Sequence, residues 1–149
     1  MGIMKQLPTI NDIRLSELST IPLNSGDVQH ALKNTDLEFD GFGEVYFSWI
    51  KAKKIKAWKM HKKMTLNLVV PVGRVQFVFF SQNLLEPCRI EIIGESAYGR
   101  LTVPPCIWFG FSGLSRRASL VVNIANIAHD PEEVIQKEIN EIPFNWRVE

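Results

Sequence analysis

The stretch KAWKMHKKMTLNLVV, residues 56–70, decides the fold. From Lys59 every second residue is polar: Lys59, His61, Lys63, Thr65 and Asn67. Trp58, Met60, Lys62, Met64, Leu66 and Leu68 stand between them, nearly all apolar. A period of two marks a β-strand, whose successive side chains point to opposite faces. The Trp58/Met60/Met64 face is expected to pack on a second sheet or a subunit. The other face carries amines, an imidazole, a hydroxyl and an amide. It either meets water on a half-exposed sheet or lines the inside of a barrel. Lys59 and Lys63 lie on one face with His61 between them, and such same-sign crowding is costly in a buried setting unless an anion is bound there.

Working outward, the neighbouring stretches also read as strands. Residues 44–50 (EVYFSWI) alternate and are rich in aromatic and β-branched side chains. Residues 54–70 and 74–80 flank a Pro-Val-Gly turn, an antiparallel hairpin signal. Further strands are expected over 89–94, 98–103, 106–111 and 119–126, separated by Gly, Pro, Ser or Asn. Residues 26–33 suggest a short helix. Residues 130–139 (DPEEVIQKEI) suggest another, with an Asp cap, Pro at its first position and acids in its first turn. Many short strands at regular spacing predict an all-β jelly-roll barrel. A single domain over 1–149 is expected: a turn-rich segment 1–40, a barrel 41–128, and a short helix and tail 129–149.

A chain of 149 residues is long enough for one buried core. Its net charge of +1, with no basic block or acidic tail, argues against nucleic acid or a membrane surface as partner. The N-terminal MGIMKQLPTIND has no signal-peptide core, and Gln6 stands where a myristoylation pattern wants Ser or Thr. No apolar run approaches the roughly 18 residues of a membrane span. Cys88 and Cys106 have neither CxxC nor Cys/His spacing, so free thiols in a reducing cytoplasm are expected.

The chemistry-bearing motifs are mostly negative. A barrel metal site wants two His one residue apart, a nearby carboxylate and a later His. Here Lys59 takes the first His position beside His61, Thr65 and Leu66 stand where the acid belongs, and neither His30 nor His129 has a well-spaced acid. No metal and no other cofactor is expected. GFGEVY (41–46) precedes a strand rather than a helix, so it is no phosphate loop. There is no GxSxG elbow, and FSGLSRR (111–117) reads as a charged hairpin tip.

Three stretches carry a resemblance: residues 55–80 (IKAWKMHKKMTLNLVVPVGRVQFVFF), 101–115 (LTVPPCIWFGFSGLS) and 126–133 (NIAHDPEE). Over roughly residues 26–146 the chain resembles the dTDP-4-dehydrorhamnose 3,5-epimerase family of nucleotide-sugar cupins, in a short branch of it. The resemblance implies a jelly roll that works without metal, a homodimer exchanging N-terminal strands, and a cytoplasmic role in deoxysugar or polysaccharide biosynthesis. It implies epimerisation or isomerisation of a dTDP-linked 4-keto-6-deoxy sugar through an enolate. That reaction needs a base over one face of the sugar, a cation or donor at the C4 oxygen, and an acid on the opposite face.

Carried over by position, the family's Arg-Gly-Leu-His run falls on Lys56, Ala57, Trp58 and Lys59. Lys59 then occupies the base position and His61 sits two residues on. An imidazole titrates close to neutrality, so His61 is the expected base, with Lys59, crowded by Lys56 and Lys63, its rival. Lys63 falls on the lysine that supports the enolate. Phe109 stands where family members often have His. The acid-tyrosine region falls on 122–128, which has no Tyr and offers Asn123 and Asn126. The aspartate that orients the base falls beyond the C-terminal helix-and-Trp region and is expected to be missing. The nucleotide-holding element falls loosely on Ser25, Gly26 and His30. Expected catalytic residues are thus His61, Lys63 and Lys59. Expected substrate-binding residues are Lys56, Asn67, Asn123, His30 and Trp108, the last by stacking. His129 is a surrogate acid or a surface neighbour of the helix cap. A degenerate cupin that only binds the sugar nucleotide is the competing reading.

Overall fold

The computed structural model describes residues 6–147, so the reading of Met1–Lys5 lies outside the described residues. Twelve strands follow in chain order. They are β1 (Arg14–Glu17), β2 (Thr20–Ile21), β3 (Val28–Gln29), β4 (Glu44–Ile50), β5 (Ile55–His61) and β6 (Leu66–Val72). After them come β7 (Arg74–Ser81), β8 (Arg89–Gly94), β9 (Gly99–Val103), β10 (Ile107–Gly113), β11 (Ser119–Ala125) and β12 (Val134–Gln136). One five-stranded sheet has the order β1-β9-β6-β11-β4 and the other β12-β5-β10-β7-β8; β2 and β3 pair separately. All named pairings are antiparallel, and the two large sheets face each other as the jelly roll the alternation predicts.

The apolar core lies between the sheets. Leu66, Leu68 and Val70 of β6 meet Val75, Phe77 and Phe79 of β7, with Leu101, Val103, Ile107 and Val121 around them. The hairpin between β6 and β7 turns at Gly73, whose φ of +86° and contact with Ser119 (2.1 Å from a Cβ placed there) exclude any larger residue.

A second apolar cluster, Trp58, Met60, Val78, Trp108 and Ile142, lies on the outer face of the β5–β10–β7 sheet. The chain's own C-terminal segment covers it: Phe144 and Trp146 pack edge-on and tilted against Trp58, and Trp58 Nε1 donates to the Ile139 carbonyl (3.1 Å). The apolar half of the opening stretch therefore finds its partner within the chain.

Residues 54–70 are not one strand. β5 belongs to one sheet and β6 to the other, and the chain crosses between them at residues 62–65. This crossing is held from outside. Lys62 N donates to the Glu133 carbonyl (2.7 Å), Lys63 N and Met64 N donate to Glu133 Oε2 (3.1 and 3.2 Å), and Thr65 N donates to Asn126 Oδ1 (2.7 Å). Consecutive main-chain donors that no ladder satisfies find acceptors on the residues after β11.

Neither expected helix forms. Residues 28–29 pair with 20–21 as β3 and β2. After Asp130, whose side chain caps Glu132 N as the sequence suggests, a single 3-10 turn over Pro131–Glu133 gives way to β12. β12 pairs with the open edge of β5 (Val134↔His61, Gln136↔Lys59). A helix through 134–139 would leave those β5 groups without partners, and tertiary pairing overrides the local helix signal. β1, within the segment expected to exchange, lies along β9 of the same chain.

Candidate active site

One end of the barrel is not filled by the core. A cavity of about 630 Å³ opens there between the sheets, a size that suits a small-molecule ligand. Leu66, Leu68, Phe109, Phe111 and Val121 give it an apolar floor. Glu44, Tyr46 and Ser48 of β4 line one wall, and Lys56, Lys59 and His61 of β5 line the other.

The β5 wall depends on an irregularity. Phe109 pairs with Lys59, Gly110 with Ala57 and Phe111 with Lys56, so Trp58 is an extra residue, a β-bulge. Its N–H and carbonyl pair instead with Lys137 (both 3.0 Å). The bulge turns Lys56 and Lys59, three residues apart and both solvent-exposed, to the cavity side. Gly110 opposite makes room, since a Cβ there would stand 2.6 Å from Ala57 Cβ. Lys56 Nζ donates to Ser48 Oγ (2.9 Å) and the Trp49 carbonyl (2.8 Å), joining the two walls at the rim. Burial, and then the neighbouring Lys59 charge, lower the Lys56 pKa.

His61 is buried at 6 % exposure, stacked near the Phe109 ring, and its Nδ1 is hydrogen-bonded to Glu133 Oε1. Burial pushes the Glu133 carboxyl up, but the hydrogen bond from His61, those from Lys63 N and Met64 N, and the His61 charge together hold it below its ordinary value. An ionised carboxylate only accepts, so Nδ1 carries a proton, and in the neutral imidazole the free lone pair lies on Nε2. A buried carboxylate thus sets the imidazole tautomer, the arrangement that prepares a base. On the opposite wall, Tyr46 OH accepts from Asn123 Nδ2 (2.8 Å). Burial raises the Tyr46 pKa; the Asn123 bond opposes this, while Glu44 and Glu133 add to it. The phenol therefore stays protonated near neutrality.

Of the expected site residues, the cavity brings together His61, Lys59, Lys56 and Asn123. It does not bring in four others. Lys63 is exposed on the 62–65 crossing, where only its backbone N–H is engaged. Asn67 points to the outer face of its sheet, accepting from Thr102 Oγ1 (2.6 Å), because Leu66 and Leu68 take the inward positions. Trp108 belongs to the outer cluster, with Lys137 Nζ 5.0 Å from its ring. His30 borders a separate hollow of about 210 Å³ beside Arg100. His129 does line the main cavity, its N–H donating to Glu44 Oε1 (2.8 Å). Sequence reasoning missed Glu133 and Tyr46. Tyr46 had a signal, the inward-polar alternation Glu44/Tyr46/Ser48; Glu133, among first-turn acids, had none.

Among the described residues, no three His, Cys, Asp or Glu side chains gather to hold a metal. Cys88 and Cys106 are unpaired, and among the described residues no helix is long and apolar enough to cross a membrane.

No protein-family model matches the chain, and no curated protein matches it by sequence. Solved structures do. The dTDP sugar isomerase of Desulfovibrio desulfuricans G20 is 34% identical, with 95% of this chain and 94% of that one covered at a TM-score of 0.86. The dTDP-4-dehydrorhamnose 3,5-epimerase of Bacillus anthracis, solved with TDP and PPi, is 19% identical over 95% of this chain and 91% of that one (TM-score 0.79). The sugar 3,4-ketoisomerase QdtA of Thermoanaerobacterium thermosaccharolyticum, solved with TDP, is 19% identical over 89% and 96% (TM-score 0.72). These last two share the fold. Two facing antiparallel sheets around a cavity define a cupin-type jelly roll. Within it, the chain belongs to the family of the dTDP sugar isomerases.

Proposed function

We propose that the cavity epimerises a dTDP-linked 4-keto-6-deoxy sugar at a carbon next to the ketone. One observation carries this reading: a His61–Glu133 pair and a protonated Tyr46 stand on opposite walls of a single cavity. His61 Nε2 takes the proton from the carbon beside C4, and the C–H electron pair moves onto the C4 oxygen as an enolate. The Lys59 ammonium stabilises that oxygen as its charge develops. The enolate collapses, and its carbon takes the Tyr46 proton from the other face, which inverts the centre. The imidazolium and phenolate then re-equilibrate through solvent. Lys56, at the rim, fits the diphosphate. The unpaired cysteines suit a reducing compartment, so we place the reaction in the cytoplasm.

The outer side of β4 supports a homodimer. Phe47 and Trp49 are 66 % and 54 % exposed there, in register with Val122 and Leu120 of β11. An apolar patch of this kind on a sheet with a free edge fits the same patch on a second copy.

The test is solvent exchange. Incubating the protein with dTDP-4-keto-6-deoxyglucose in D2O is expected to place deuterium at C3, C5 or both and to give an inverted product. The His61→Asn variant is expected to incorporate none. A product with its ketone moved to C3 overturns epimerisation in favour of ketoisomerisation. No exchange, with thermal stabilisation by the sugar nucleotide, overturns the enzyme in favour of a binding protein.

A further inference from the structure

Asn123 lies in the middle of β11, 3 % exposed, and both ends of its amide are engaged. Oδ1 accepts from the backbone N–H of Asn67 (3.2 Å), while Nδ2 donates to Tyr46 OH (2.8 Å) and lies 3.7 Å from Met64 Sδ. A main-chain N–H only donates, so flipping this amide would set two donors against each other. Oδ1 therefore faces β6 and Nδ2 faces β4. The Tyr46 oxygen receives a hydrogen from the Asn123 side, and the phenol's single proton cannot point back along that line. It is left aimed into the cavity.

We propose that Asn123, rather than binding substrate, is a positioning residue that fixes the Tyr46 hydroxyl as a hydrogen donor to the cavity. The proposal rests on the reading of Tyr46 as the proton donor of the reaction and deepens it. The same bond is well placed for the step after transfer, because Nδ2–H stabilises the phenolate that proton donation leaves. Burial works against that phenolate, as do Glu44 on the same strand and Glu133 after β11; Asn123 is the counterweight. The other charged or titratable groups sharing the cavity are His61, Lys56 and Lys59 from β5, His129 beside Glu44, and Lys137 after β12.

The test uses the full chain with 13Cζ-labelled tyrosine. There are two tyrosines, Tyr46 and Tyr98, and the Tyr46→Phe spectrum assigns the pair. Asn123→Asp keeps an acceptor for Asn67 N–H and replaces the donor to Tyr46 with an acceptor that draws the phenol proton away. Asn123→Ala removes both bonds and serves if the aspartate variant does not fold. Either is expected to move the Tyr46 titration to higher pH, the aspartate variant further. Loss of an aligned acid is expected to lower kcat on the order of a hundredfold, with KM little changed and the alkaline limb of kcat moving with the titration. A Tyr46 titration unmoved in a folded variant overturns the proposal, whatever happens to melting temperature. A shifted titration in a protein that turns over no keto sugar keeps the Asn123 assignment and removes the catalytic reading of Tyr46.

Discussion

Glu133→Gln separates tautomer control from packing. Glu133 is 3 % exposed and uses Oε1 for His61 Nδ1 and Oε2 for the N–H groups of Lys63 and Met64. A glutamine has one acceptor oxygen. The two backbone donors fix it at the Oε2 position, so the amide NH2 faces the ring. Nδ1 must then accept, the proton moves to Nε2, and the base is lost. The same exchange in Ser-His-Asp triads costs on the order of 10⁴ in kcat, through the wrong tautomer. A loss of about 10³–10⁴ is expected here, roughly 4–5.5 kcal/mol of barrier. Both backbone bonds survive, so stability should fall by only about 1–2 kcal/mol, or ~2–8 °C in Tm for a chain this size. Rates of deuterium incorporation give the first number, thermal unfolding the second, and imidazole 15N shifts report which nitrogen is protonated. A variant keeping more than about a tenth of the wild-type rate with Nε2 protonated refutes the assignment of His61 as base. Glu133 also sets an acid limit. Its folded-state pKa lies below the ordinary 4.5, so the unfolded chain takes up this proton first. The stability it contributes is full above the ordinary value and is lost as pH falls through the depressed one. Below pH 4.5 the wild type should lose more stability on further acidification than Glu133→Gln, whereas between neutrality and that value the two should change in parallel.

Lys59→Met should reduce turnover by about 10²–10³, the cost of one donor to a developing oxyanion. Lys63→Met, on the exposed crossing, should leave turnover intact and change stability by no more than about 0.5 kcal/mol; a reversed ranking would restore Lys63 to the site. Trp58→Ala should cost about 3–5 kcal/mol, and it should also lower activity, because the C-terminal segment that docks on Trp58 carries Glu133. Phe47→Glu, on the outer face of β4, should turn the proposed dimer into a monomer by sedimentation velocity, with the fold retained by circular dichroism.

The barrel was legible because its alternation is strong. Residues 44–50, 74–80 and 119–126 form strands close to the expected bounds. The errors are informative. The period-two pattern of residues 56–70 runs straight through a crossing between sheets, and it stays in phase only by chance. Before the crossing Lys59 and His61 line the cavity; on it Lys63 is exposed, and after it Asn67 faces outward. Periodicity tells which residues share a face within a strand; it does not tell when the strand has ended. The bulge at Trp58 is equally silent, since it is fixed by the β10 and Lys137 partners rather than by local preference. The DPEE signal did give the Asp130 cap. It could not reveal that β5 had an open edge waiting for residues 134–136.

The departures from the family pattern look different in three dimensions. Compared position by position, the chain has no tyrosine over 122–128, which favours a relic that only binds. Yet Tyr46 is the β4 residue directly opposite Asn123 in the β11 register. A phenol is therefore present at the same height of the same sheet, one strand over. Glu133 likewise reaches His61 from the turn before β12. In a barrel, a group at a given height can be supplied by any neighbouring strand, because adjacent inward side chains lie about 5 Å apart. Sequence comparison runs along the chain and cannot see exchanges that run across it. Losing a motif residue therefore weighs against activity only when no neighbouring strand presents the same chemistry. Here one does on each wall, which favours the proposed enzyme, with its acid and orienting carboxylate supplied from other elements, over a relic.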